Sequence, residues 1–208
     1  VSRRIGRGLG GGSILATLTL GILLVVGAGV AWADTIAMFV ASYQTDTWNP
    51  ESNEPSGAAW IEGPDYLFVV DTNVNDPDAN GWQVDIHTGA ATSRATGVEE
   101  PSGIDYDPAS NTLFITQDDG QIFIFEDFDT PAESMITLDV GDVSFDTEDP
   151  AYNPTNGRLY WISGAEDALF ELNPGAGGWD DGDEVITERT VTHLNPDGDS
   201  DWEGLAWD

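Results

Sequence analysis

Carboxylates recur at fixed distances ahead of a regularly placed aromatic residue, and that register is the most chemical feature of the chain. Counting back from Trp60, Tyr106, Tyr152 and Trp207, the fourth residue upstream is Ser56, Ser102, Glu148 and Glu203. The third is Gly57, Gly103, Asp149 and Gly204, and the sixth in the first two units is Glu54 and Glu100. If the units are related by rotation, equivalent positions form rings. Carboxylates in a ring repel one another unless a proton or a cation intervenes, and Ca2+, which takes about six to eight oxygen ligands, suits such a site. The glycines are expected to let backbone carbonyls approach. "DGDSDWEG", Asp197 to Gly204, alternates acidic side chains like the start of an EF-hand loop. Trp202 stands where that loop turns on Gly, and Asp208 where a bidentate Glu closes it, so a looser Ca2+ site is expected there.

Other chemistry is sparse. His87 and His193 are the only histidines, and neither forms a metal-spaced pair or neighbours a Ser nucleophile motif. No phosphate-cradling loop ends in Lys, because the chain has no lysine. Trp48, Trp82 and Trp179 have the side chain to stack on sugars, but burial in a core or blade interface is the stronger expectation.

The elements that would position the register are repeated. Trp60, Tyr106 and Tyr152 each precede, by seven residues, the segments "LFVVD", "LFITQ" and "LYWIS", and the spacing from aromatic to aromatic is 46, 46 and then 55 residues. In the second unit, "SGIDYD", "NTLFITQ", "QIFIFED" and "SMITLDV" read as four strands, short and rich in aromatic and β-branched residues. "DDGQ", Asp118 to Gln121, supplies a hairpin turn, and "DPASN" and "NPTNG" supply turns with Pro to fix φ and Asn or Gly for left-handed positions. Four antiparallel strands in about 46 residues is the arithmetic of a β-propeller blade.

The expected fold is therefore all-β: about three four-stranded blades plus the first strand of a fourth, an incomplete ring. The blades fall near 54–99, 100–145 and 146–200, with the next beginning at 201. The longer last interval holds an acidic, Gly-rich insertion, "PGAGGWDDGDE", Pro174 to Glu184. The chain reads as C-terminally incomplete, with "IAMFVASYQT", Ile36 to Thr45, as a ring-closing outer strand in the segment 34–53. A β-sandwich, an open stack of blades and closure between two chains are the alternatives.

Residues 1–33 have the layout of an export signal: Arg3, Arg4 and Arg7, an apolar run from Ile14 to Ala31, then "AWA". Cleavage would leave a secreted or periplasmic chain. The same run retained would anchor it to a membrane through residues 14–31. Beyond it stand only Arg94, Arg158 and Arg189 against all 38 acidic residues of the chain. Such a polyanion has little to offer phosphates, so nucleic acid and anionic membrane surfaces are excluded as partners and divalent cations are favoured. Solubility in high salt is the other use of this charge. There is no cysteine, so apolar burial carries stability.

The repeated "EPSG" with "LFVVD" or "LFITQ", and "DWEGLAWD" at the end, resembles secreted propellers of the SMP-30/gluconolactonase, NHL-repeat and SdiA-regulated or phytase-like kind. "RLYWISGAEDALFEL", Arg158 to Leu172, is also similar to a low-density-lipoprotein-receptor YWTD repeat, with Ile162 and Ser163 in place of its Thr and Asp. The resemblance spans Glu54 to Asp208 and is to an architecture more than to one family. It implies a divalent cation, usually calcium, near the channel, with Glu203 among its ligands, Glu148 its counterpart and Asp201 a neighbour. Three functions follow: a Ca2+-associated binding module that takes a small molecule, sugar or protein at the propeller face, a metal-dependent hydrolase of lactonase or phytase-like type, or a structural acidic repeat.

Overall fold

The computed structural model describes residues 42, 44–49, 51–52, 54–72, 80–142, 144, 146–164, 168–179, 182–189 and 205. The chain divides into two compact units, Val1–Gln44 and Thr45–Asp208, and the fold described is that of the second. The export signal and most of the expected ring-closing segment lie outside the described residues. Thr45, the last residue of that segment, opens a 3₁₀ turn (Thr45–Thr47) and not a strand.

Among the described residues, twelve strands form three four-stranded antiparallel sheets in simple sequence order. The first holds β1 (Pro55–Ile61), β2 (Tyr66–Asp71), β3 (Gly81–Val84) and β4 (Ala91–Arg94). The second holds β5 (Pro101–Asp107), β6 (Thr112–Gln117), β7 (Gln121–Glu126) and β8 (Ser134–Asp139). The third holds β9 (Thr147–Asn153), β10 (Arg158–Ser163), β11 (Ala168–Asn173) and β12 (Val185–Arg189). Among the described residues there is no α-helix. The first strands lie side by side, β1 against β5 and β5 against β9. The last strands, β8 and β12, are the most exposed of their sheets. This is the arrangement of successive blades in an incomplete β-propeller.

Local chemistry explains the strands' ends. Gly120 takes φ 85 in the β6–β7 hairpin, and Asn111 (φ 54) and Gly157 (φ 68) take the left-handed positions of the turns after β5 and β9. Asp107 accepts the N–H groups of Ala109 (3.1 Å) and Ser110 (3.3 Å), and Asn153 accepts that of Thr155 (2.9 Å), so each turn is fastened by the residue that ends the strand.

Packing occurs between blades. Side chains alternate faces along a strand, so β6 sends Leu113 and Ile115 toward the first blade and Phe114 toward the third. β7 does the same with Phe123 and Phe125 on one side and Ile122 and Ile124 on the other. All six residues of β6 are buried, which is why Leu113, Phe114 and Ile115 follow one another without polar alternation. The first seam is filled by Ile61, Phe68, Val70, Ile104 and Phe128, the second by Leu159, Trp161, Phe170 and Leu172. Trp179, from the acidic insertion, packs edge-on against Phe114 at 5.4 Å and joins the second seam. Trp48 and Trp82 are buried against each other, rings 5.8 Å apart, so neither offers a face to a sugar.

Candidate functional site

The "EPSG" register is a seam device. Ser56 donates from its hydroxyl to the carbonyl of Pro101 at 2.5 Å, and Ser102 donates in the same way to the carbonyl of Thr147. In both cases the start of one inner strand is tied to the start of the next. The glycine beside each serine is required by close approach between strands. A Cβ on Gly57 would meet Ile104 Cγ2 at 2.8 Å, and one on Gly103 would meet Asp149 Cα at 2.5 Å and Pro150 Cδ at 2.9 Å. Close approach of the neighbouring strand thus accounts for both glycines.

The third blade departs from this pattern, with Glu148 where the serines stand and Asp149 where the glycines stand. Asp149 is half-buried against Gly103. Desolvation, then the charge of Asp105 on the adjacent strand, pushes its carboxyl up to about 7. Asp105 bridges the same pair of strands. Its Oδ2 accepts the N–H of Tyr152 at 2.6 Å and its Oδ1 that of Tyr106 at 2.8 Å. Burial raises its pKa, the two N–H groups oppose the rise, and Asp107 adds to it.

A second acidic group sits where the inner strands begin. Asp118, just after β6, is raised by burial, then by Asp146, Glu100 and Asp119, with the nearby Ser102 hydroxyl opposing the rise. Asp146 lies six residues ahead of Tyr152, the register of Glu54 and Glu100, so it continues their series into the third blade. A Cβ on Gly164 would stand 2.6 Å from Asp146 Oδ2 and 3.9 Å from Glu148 Oε1, which places both carboxylates beside that glycine. Glu54 and Glu100 are exposed, and the Glu54 N–H donates to the buried Asp71 at 2.9 Å. Glu203 and Asp201 lie outside the described residues.

The charges of Asp146 and Glu100 thus both bear on Asp118, Asp149 is set against Asp105, and Glu54 stands at the first blade. Among the described residues no three acidic or histidine side chains converge closely enough to hold one ion alone. Asp105, Asp118 and Asp146 went unread in the sequence. Asp146 was legible from the register, and Asp105 from its place between Ala59 and Ala151 in the aligned repeats. Asp118 had no such signal, since its equivalents are Thr72 and Gly164. His87 is exposed in the turn after β3, its N–H on Asp85 Oδ1 at 2.7 Å, and His193 lies outside the described residues.

The chain's three arginines beyond residue 33 are all held in ion pairs. Arg94 pairs with Asp129 (3.1 Å) and Glu133, and its guanidinium lies 4.3 Å from the centre of the Phe128 ring. Arg158 and Arg189 both pair with the buried Glu171.

No family model and no curated protein matches this sequence. Solved structures do resemble it. A protein from Lactobacillus plantarum is 15% identical, with a TM-score of 0.47 over 72% of this chain and 44% of that one. An auxiliary nutrient binding protein from Bacteroides thetaiotaomicron is 14% identical, with a TM-score of 0.46 over 66% of this chain and 36% of that one. A chain of a nidogen/laminin complex is 14% identical, with a TM-score of 0.36 over 65% of each. This chain spans less than half the length of the first two.

Proposed function

We propose that this chain is an exported binding module whose inner-strand carboxylates take a divalent cation, Ca2+ by the chemistry of an all-oxygen donor set. The observation that carries the reading is the position of Asp118, half-buried and within reach of Glu100 and Asp146, the same register of adjacent blades. Anions gathered in this way are relieved by a shared cation, and the arginines are committed elsewhere. The described donors fit an ion only in part. Asp118 and Asp146 would supply carboxylate oxygens, and the rest would come from water or from Glu203 and Asp201. The basic, apolar and small-residue layout of residues 1–33 supports export.

The test is thermal melting with Ca2+ added at constant ionic strength. A ligand of the folded chain alone raises the midpoint. The reading expects a rise with millimolar CaCl2, lost in Asp118→Asn and Asp146→Asn, and no equal rise with NaCl matched for ionic strength. An equal response to both salts overturns it.

A further inference from the structure

At the opposite ends of the inner strands, where β5 and β9 finish, two clefts open side by side. The first, of roughly 410 Å3, lies between the first and second blades. Glu62 and Pro64 line it from one side, and Tyr106, Pro108 and Asn111 from the other. The second, of roughly 230 Å3, lies between the second and third blades, with Asp107, Pro108, Tyr152 and Pro154 among its lining. Tyr106 and Pro108 border both, so one ring is the wall the clefts share. The repeat generates the pair, because Tyr106 and Tyr152 occupy one register and Pro108 and Pro154 another.

Rings and prolines give these clefts apolar walls, while their charged members are acidic. We propose that the two clefts bind a cationic head carried on an aliphatic stem, an alkylammonium or guanidinium group. The stem would lie along tyrosine and proline, and the head would meet the ring face and the carboxylate at the rim. Glu62 is exposed at that rim. The field of the carboxylates falls on both rings: burial first, then Glu62 and Asp107, raises the Tyr106 hydroxyl, and burial then Asp107 raises that of Tyr152.

The wall of the first cleft already takes part in one instance of this recognition. Phe128 and Asp129 belong to its lining, and Arg94 lies over that ring while pairing with that carboxylate. An aromatic face and two neighbouring acids, Asp129 and Glu133, hold a guanidinium there. The three arginines beyond residue 33 are all engaged and the buried Asp107 fastens its own turn, so Glu62 at the rim is the carboxylate left to a guest, and the strong negative charge of the chain concentrates cationic guests near it. Inorganic Ca2+ lacks the stem that the ring would recognise, so this site is distinct in chemistry and in place from the carboxylates at the strands' beginnings.

The head group has two sources, a free polyamine or the Lys and Arg side chains of a peptide. Calorimetric titration of the full chain with spermidine and with hexalysine, at fixed ionic strength, tests both. Binding of each shows that the head group suffices, and binding of hexalysine alone assigns the peptide source. Glu62→Gln and Glu188→Gln each remove one exposed charge, the second on the far edge of the third blade. The proposal expects Glu62→Gln, but not Glu188→Gln, to weaken binding. Tyr106→Leu is expected to weaken it by roughly two- to thirty-fold, the range of cation–π contacts, and Tyr106→Phe to leave it intact. Equal loss in Glu62→Gln and Glu188→Gln, or no binding of either probe, overturns it, whatever Tyr106→Leu does to folding.

Discussion

Tyr152 of the third blade lies flat on Phe114 of the second, ring centres 5.1 Å apart and planes 19° from parallel. The inner aromatic of one blade thus rests on the second strand of the blade before it. Tyr106 packs in the same sense into the first seam, and Trp60, the corresponding residue of the first blade, is 37% exposed. Phe114→Ala is expected to destabilise by about 3–5 kcal/mol, as buried Phe truncations do. Trp60→Ala should cost far less, and urea midpoints compare the two.

Gly103→Ala should be harder to accommodate than Gly57→Ala. The added methyl at 103 comes within 2.5 Å of the Asp149 Cα, which has no rotamer to turn, whereas at 57 the nearest backbone atom is the Ile104 N at 3.1 Å. Overpacking costs of about 1–3 kcal/mol set the scale, with Gly103→Ala at or above the upper end. Chemical denaturation of both variants checks the order.

Asp149 makes stability depend on pH in a direction opposite to most carboxylates. Its pKa is about 7 in the fold against an ordinary value of 3.8, so between these the native state holds a proton that the unfolded chain has lost. The stabilisation is complete below the unfolded pKa and disappears as pH rises through 7. Asp105, also raised, acts with the same sign. With chelator present, the thermal midpoint should fall between pH 4 and 7.5, and Asp149→Asn should flatten that fall. A midpoint unchanged by the substitution across this range refutes the assignment.

Arg94→Lys should not behave as a conservative change. The planar fork serves Asp129 and Glu133 together and lies over Phe128, a combination that a point charge on a flexible stem does not reproduce. A loss of about 1–2 kcal/mol is expected, on the scale of charge-assisted hydrogen bonds. Denaturation of Arg94→Lys beside Arg94→Ala measures how much of it the charge alone restores.

With three arginines beyond residue 33 facing 38 acidic residues, self-repulsion opposes the compact state. Raising NaCl from about 0.1 to 1 M shortens the screening length from about 10 to 3 Å and should raise the melting midpoint. Asp118→Asn should retain this response, since it removes one charge among many.

The all-β architecture was readable because its cause is written in spacing. A blade cannot bury both its faces alone, so the residues that face neighbours return every 46 positions, and the turn residues Asp65, Asn111 and Gly157 return with them, each at positive φ. The meaning of Ser56 and Gly57 was less accessible. Their types fit a ligand site and a strand seam equally well, and only the distances to Pro101 and Ile104 separate the two. The role of Trp179 was hidden for a related reason. An acidic, Gly-rich stretch reads as solvent-facing, and nothing local announces that its one large ring reaches Phe114 and Tyr152.

β6 is covered on both sides, by the first blade through Leu113 and Ile115 and by the third through Phe114. A cut made between sheets would therefore divide two jigsaw fits and bare oily surface on each piece. For anyone shuffling such repeats, the transplantable module runs from the middle of one sheet to the middle of the next, carrying an intact joint.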